Sequence, residues 1–300
     1  MENIITSKDY DYMQRNRAID CLCAKYPFLK KKVLGKSCGG REITALKLGT
    51  AEKYSLIAAA FHGSEHITAT VLLMYIEELC DVIQNDGFIA GMKPTKIMNS
   101  RGAIFVPCVN PDGCEISLLG KKGCGNYYTT ISKLSNNNFT HWNANLRGVD
   151  INHNFNAGWK ELRELERKQG IYGPSPTRFG GYKPESEPET IAITHLCRNT
   201  SMRHIIALHS QGEVIYWNYG DKTPPKSRKI AEILATSAGY DLDIPSPIAT
   251  GGGFKDWFIE KFNRPGFTVE LGKGVNPLPA QDAIKIYTKV KEMLTLCTVM

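Results

Sequence analysis

Ser55-Leu56-Ile57-Ala58-Ala59-Ala60-Phe61-His62-Gly63-Ser64-Glu65-His66 is the stretch that decides the fold. Its first seven residues form a short apolar run that reads as a buried strand, and the run stops at His62, Gly63 and an acid. From Ile67 to Cys80 apolar residues recur at helical spacing, with Leu72, Leu73, Ile76 and Leu79 on one side. His62 and Glu65 therefore stand where a strand hands over to a helix, the edge of an open α/β sheet at which ligands bind. An imidazole and a carboxylate three residues apart can converge on one divalent cation. With a third ligand from elsewhere they make a catalytic zinc set that leaves one position for water. A helix start whose acid is favoured by the helix dipole would also explain the pair, so its meaning depends on the rest of the chain.

Outward from that stretch, strands and helices alternate. Residues 7–25 read as an amphipathic helix inside an N-terminal helical lead-in, 1–30. Short strands follow at 32–36 and 42–48, around the turn-like Ser37-Cys38-Gly39-Gly40-Arg41. Residues 102–109 form another strand, stopped by Asn110-Pro111-Asp112-Gly113, a strong turn signal. Residues 114–148, rich in Gly, Asn, Ser and Thr, read as a long functional or mobile loop. The charged run 160–168 has opposite charges at i+3 and i+4 and reads as a solvated helix. A Pro/Gly-rich stretch, 173–188, leads to a helix at 189–197, a strand at 204–209 and a helix at 227–238. A strand at 266–271 and a helix at 280–296 close the chain. No repeat or linker divides it, which predicts one α/β catalytic domain over 1–300.

Composition narrows the class. Three hundred residues, 42% hydrophobic and 22% charged, fit a globular chain with one large core. No apolar run approaches the roughly 20 residues of a membrane span, and the N-terminus lacks a basic segment followed by an apolar one, as a secretory signal would have. Nine scattered cysteines without metal-finger spacing predict reduced thiols in a cytoplasmic protein. The net charge of +7 is spread out, without the basic-aromatic strip of a nucleic-acid binder, and suits an acidic small substrate.

Three separate strands end in groups able to hold a metal or move a proton: His62 with Glu65, His209, and Glu270. His209 supplies the ligand that the first pair lacks, which leaves Glu270 as a base. A zinc-bound water has a pKa near 7, and a carboxylate within reach can take its proton and pass it to a leaving amine. Asp150 offers the acid that accepts the free N–H of a ligand histidine and fixes its tautomer. His66, His141, His195 and His204 lack spacing to a partner and read as structural.

Gly40-Arg41-Glu42-Ile43, His62-x-x-Glu65, Asn110-Pro111-Asp112-Gly113, Gly148-Val149-Asp150-Ile151-Asn152, His209 and Phe267-Thr268-Val269-Glu270-Leu271-Gly272 together resemble the zinc carboxypeptidase (M14) family. The motifs occur in the family's order over roughly residues 32–296. The resemblance implies a mostly parallel, mixed eight-stranded sheet flanked by helices. It also implies one Zn2+ per chain on His62, Glu65 and His209, with Glu270 as general base and acid.

The departures from the family are equally specific. Where the family has Asn-Arg, its arginine gripping a terminal carboxylate, this chain has Asn152-His153. The carbonyl-polarising arginine expected after a Trp is missing from Trp142-Asn143-Ala144-Asn145, and Arg147 is the near substitute. Ile248 stands at the place of a substrate-capping tyrosine, Ser64 at that of an arginine, and Arg178 is an unplaced cation in a Gly-rich loop. Trp142 to Asp150 and Phe254 to Ile259 are similar to the bacterial branch that includes γ-D-glutamyl-meso-diaminopimelate peptidases. There Lys255 falls at a position lining the specificity pocket and would suit an acidic side-chain end. Asn152, His153, Arg147 and Lys255 are thus the expected substrate contacts, and a small muropeptide the expected partner, with neither nucleic acid nor membrane. The oligomeric state stays open. The alternatives are a zinc carboxypeptidase or acylamino-acid amidohydrolase acting on another small substrate, and a metal-free peptide-binding module, which would have no need of Glu270.

Overall fold

The computed structural model describes residues 3–95 and 97–300; Met1 and Glu2, at the head of the expected lead-in, and Lys96 lie outside the described residues. Helix α1 (Tyr12–Lys25) starts later than the apolar pattern suggested because Asp11 caps it. The Asp11 carboxylate accepts the Gln14 N–H at 2.8 Å, and the Gln14 side chain accepts the Asp11 N–H at 3.2 Å. Strands β1 (Leu29–Lys36), β2 (Glu42–Leu48) and β3 (Tyr54–Ala59) follow, then α2 (Ile67–Gln84) and β4 (Ala103–Val106). The stretch 114–148, expected to be loop, holds the end of α3 (Pro111–Leu119), then α4 (Lys121–Cys124) and α5 (Tyr128–Ser135). These helices are too short to show a period. Next come α6 (Trp159–Lys168), α7 (Pro188–Asn199), β5 (Met202–His209), β6 (Val214–Tyr216) and α8 (Ser227–Ala238). Strand β7 (Asp241–Asp243), α9 (Phe254–Phe262), β8 (Gly266–Glu270) and α10 (Ala283–Val299) complete the fold. Strands β6 and β7, three residues each, were not anticipated for the same reason.

The eight strands form one mixed sheet in the order β1-β2-β4-β3-β5-β8-β6-β7. Pairings β3–β4, β3–β5, β5–β8 and β6–β7 are parallel and the remaining three antiparallel. Every residue of β3 is buried, as befits a central strand covered on both faces. One face packs on α1, α2, α8 and α10 through residues such as Leu73, Leu234 and Leu294; the other packs on α7 and α9 through Ile193, Phe254 and Trp257. Helix α2 is buried on nearly all sides, so its expected one-sided stripe understates its position.

The topology puts the chemistry in one place. β3, β5 and β8 are adjacent and parallel, with Ala59 paired to Leu208 and His209 to Glu270. Their carboxyl ends therefore deliver His62, Glu65, His209 and Glu270 to one rim of the sheet. This is the place where open α/β sheets bind ligands.

Candidate active site

The turn that carries the first pair is locked by backbone packing. A Cβ on Gly63 would meet the Gly113 and Trp142 carbonyl oxygens at 2.3 and 2.4 Å, so only glycine fits. Asn110, the N-cap of α3, holds the same region from beneath. Its amide nitrogen donates to the carbonyls of Phe61, Asn143 and Ala144 at 3.0–3.1 Å, and its oxygen accepts the Gly113 N–H at 2.9 Å. Asp112 ties in the Gly40-Arg41 motif, accepting from the Gly39 N–H and the Arg41 guanidinium at 2.6 Å each. These motifs thus act as braces for the rim.

At the rim, His62 Nδ1 lies 2.8 Å from Glu65 Oε1, and His209 Nδ1 lies 2.9 Å from Glu65 Oε2. The two Nδ1 atoms are 3.3 Å apart, with the His209 ring stacked on Phe61 at 5.3 Å. Two nitrogens bound tetrahedrally to zinc at about 2.0–2.1 Å would be separated by roughly that distance. His62 Nε2 is 3.0 Å from Asp150 Oδ1, the carboxylate–histidine arrangement that orients metal ligands. The donor set and its spacing fit a zinc ion. His209 Nε2 is buried without a hydrogen-bond partner among the described residues.

The electrostatics are those of a compact charged cluster. Burial raises the Glu65 pKa, but the charges of His62 and His209 outweigh it and bring the carboxyl down to about 2. Burial works against a charged His62, yet Glu65 and Asp150 lift that imidazole well above its usual range. Asp150, despite its burial, is held below the usual carboxylate range by His62 and His153 and by its hydrogen bonds. Glu270 behaves oppositely: burial, then the charge of Glu65, push it well above the usual range, with His62 opposing. Two carboxyls on one rim are thus driven apart, the pattern that separates acid from base roles.

The expected substrate contacts separate into groups. Asn152 is tied to the cluster through Asp150, whose Oδ1 accepts its backbone N–H at 3.1 Å; its side-chain oxygen accepts the Phe254 N–H at 3.0 Å, leaving the amide nitrogen as donor. His153 is drawn into the interior, its Nδ1 2.7 Å from Glu166 Oε1. Glu166 is fully buried and paired with Arg163, which is 3% exposed and lies over the Phe179 ring. The solvated reading of 160–168 is therefore wrong for its inner face, where the charges form a buried network around His153. Arg147, with a side chain 53% exposed, lies over a different cluster, 3.6 Å from Glu187. Lys255 is 4% exposed, its ammonium committed to the Asp256 carboxylate and, at 2.8 Å, to the Asn218 carbonyl. His204 is structural as expected: burial lowers it to about 4, and its Nε2 meets the Cys297 carbonyl at 2.7 Å.

Sequence reasoning also missed a second group of possible ligands, Cys38, Glu187 and Glu189. No motif marks it, because its members come from the β1–β2 turn and the entry to α7.

Two imidazoles and a carboxylate converging beside a second carboxyl, on the strand ends of a mixed sheet, are the working parts of a metal-dependent hydrolase. The model of the zinc carboxypeptidase family matches residues 16–293, and the chain belongs to that family. It is 34% identical over 285 residues to gamma-D-glutamyl-L-diamino acid endopeptidase 1 of Lysinibacillus sphaericus, covering 93% of this chain and 70% of that one. Among solved structures, carboxypeptidase A from Helicoverpa armigera superposes with a TM-score of 0.71 at 20% identity, over 97% of this chain and 73% of the other. Murein-tripeptide amidase MpaA from Escherichia coli O157 gives 0.56 at 21% identity, over 88% and 91%. Both likenesses establish the shared fold.

Proposed function

We propose that this protein is a zinc metallopeptidase that cleaves the amide bond between γ-D-glutamate and meso-diaminopimelate in cell-wall-derived peptides. The relation to the Lysinibacillus endopeptidase supports the substrate class. The observation that carries the chemistry is the pairing of His209 with Glu270 across β5–β8, which sets an acid of raised pKa beside the His62–Glu65–His209 cluster.

One zinc per chain would be held by His62 Nδ1, Glu65 and His209 Nδ1. When bound, zinc supplies Lewis acidity and lowers the pKa of water to about 7. Glu270 takes the proton from the attacking water and returns it to the leaving amine, and an environment that raises its pKa strengthens it as the base of the first transfer. Asp150 accepts from His62 Nε2–H and so keeps the Nδ1 lone pair toward the metal. Asn152 offers its amide N–H groups to a substrate carboxylate. Lys255 enters the pocket wall as half of an ion pair with Asp256, a dipole rather than a free cation. All nine cysteines are free, which supports a cytoplasmic site of action on soluble fragments. No helix of the described residues is long and apolar enough to cross a membrane.

The test is incubation of the zinc-loaded protein with L-Ala-γ-D-Glu-meso-diaminopimelate, with mass spectrometry of the products. Release of L-Ala-D-Glu and free diaminopimelate is expected, falling by about 10²–10⁴-fold in Glu270→Gln. No cleavage by the zinc-loaded parent would move the assignment to another amide, such as an acylated amino acid.

A further inference from the structure

The family's carboxylate-gripping arginine is replaced here by His153, and the structure shows why that histidine does not take over its task. Burial holds the imidazole below the usual histidine range; Asp150 opposes this, while the charges of His62 and Arg178 deepen it. Its Nδ1 is taken by the buried Glu166 carboxylate at 2.7 Å. An imidazole drawn into the interior, with its Nδ1 held against a buried carboxylate, is a poor anchor for a substrate anion. The substrate class proposed above nonetheless carries several carboxylates, and Asn152 alone offers only neutral donors.

A cation does stand beside this gap, on the segment 175–181. The Pro176 carbonyl accepts the N–H groups of Asn143 and Ala144 at 2.9 Å each, which ties the segment to one side of the metal turn. The Arg178 N–H donates to Asp150 Oδ2 at 2.8 Å, and the Phe179 carbonyl accepts the Asp150 N–H at 2.8 Å, which ties it to the other. Residue 178 is thus fixed directly behind the carboxylate that orients His62. Arg178 adopts φ of +65°, a left-handed conformation uncommon for a residue other than glycine, asparagine or aspartate. Its side chain is exposed, and its guanidinium donates to the neutral Gln169 Oε1 at 3.1 Å, with no carboxylate paired to it among the described residues. The other nearby cations are spent: Arg163 on Glu166, Lys255 on Asp256, Arg147 on Glu187.

We infer that Arg178 is the specificity-determining cation of this site, binding a carboxylate of the peptide beside Asn152 in place of the residue at 153. The arginine has moved from the turn after Asp150 to the segment that packs on Asp150. Its planar fork can then accept a carboxylate by exchanging the single bond to Gln169 for two charge-assisted ones.

The inference rests on the function proposed above, and its test separates the two. Zinc-loaded parent, Arg178→Ala and Arg178→Lys proteins would be assayed on L-Ala-γ-D-Glu-meso-diaminopimelate and on the same peptide with its diaminopimelate carboxylates amidated. Arg178→Ala is expected to lose about 10- to 100-fold in kcat/KM on the free acid, mainly through KM. Lysine should restore part of that loss, and the amidated peptide should be cleaved equally by parent and Ala variant. Unchanged zinc content in Arg178→Ala would show that Asp150 is undisturbed. Equal losses on both peptides, or no loss on the free acid, would overturn the role of Arg178 and leave the function standing. Calorimetric binding of both peptides to the Glu270→Gln protein gives the same comparison without turnover. If that protein binds neither peptide, the substrate class falls, and the inference with it.

Discussion

Among the described residues, two places gather three potential metal ligands with their donor atoms within 4.8 Å: His62–Glu65–His209, and Cys38–Glu187–Glu189. By proximity they are equivalent, and by chemistry they are opposites. In the first, the two imidazole Nδ1 atoms and the carboxylate face one another directly at 2.8–3.3 Å, and Glu65 is driven toward the ionised form. In the second, the centre is filled. The Asn145 amide nitrogen donates to Glu187 Oε2 at 2.8 Å, to Glu189 Oε2 at 3.2 Å and to the Cys38 thiol at 3.3 Å. Its orientation is set by its oxygen, which accepts the N–H groups of Arg147 and Val149 at 2.9 and 3.1 Å. Burial, then Glu189 and Glu187, push the Cys38 thiol upward, and burial lifts Glu189 to about 7. A zinc ligand must shed its proton. The Cys38 thiol and the Glu189 carboxyl are pushed toward their protonated forms and the group's lone pairs are spent on an amide, so it is a buried polar network and the first group is the candidate metal site.

The sharpest way to break this comparison is to remove one ligand from each cluster. His209→Ala should reduce zinc from about one per chain to near zero after dialysis, read by plasma mass spectrometry, with loss of all peptidase activity. Cys38→Ser should keep its zinc and its activity. Loss of zinc from Cys38→Ser would mean that the Asn145 amide yields to a cation after all.

A smaller effect is expected one step back from the metal. Asp150 accepts from His62 Nε2 and the Asn152 N–H with one oxygen, and from the Arg178 N–H and the Thr177 hydroxyl with the other. Asn at this position turns one of those oxygens into a donor facing a donor. Asp150→Asn should weaken zinc binding or activity by about 10- to 100-fold, measured by competition with a chromophoric chelator. An unchanged affinity would reduce Asp150 to a turn residue.

What the sequence revealed follows the same physical divide. The convergence of these residues on one rim was legible because they stand at the ends of strands whose apolar runs stop abruptly, and because β3, β5 and β8 are long enough to show it. The family's motifs then ordered those strands. Elements of three or four residues, β6, β7 and α4, carry too little pattern to be read. The inner face of α6 was hidden for another reason. Arg163 and Glu166 are charges that pair with each other and with His153 in the interior, and one-dimensional charge alternation looks the same whether its partner is water or a buried ring. Arg178 stood out only as an unplaced cation, since its place is set by a backbone bond to a residue 28 positions away.

The faintest prediction concerns how the second cluster tolerates its own burial. Glu189 carries a pKa raised from 4.5 to about 7 by burial, which the hydrogen bonds from its own N–H, the Cys38 N–H and Asn145 only partly offset. Between those values the native protein holds a proton that the unfolded chain has already released. Stability from this group is therefore complete below pH 4.5 and is lost as pH rises toward 7, by about 3 kcal/mol at most. Glu189→Gln imitates the protonated carboxyl and does not titrate. Its melting temperature relative to the parent should rise from pH 4.5 to pH 8, as followed by circular dichroism at several pH values. Parallel curves would show that Glu189 is ionised in the folded state throughout. A parent curve flattened by cadmium or zinc at pH 8, but not in Cys38→Ser, would reveal a cation among these side chains and erase the contrast with the rim.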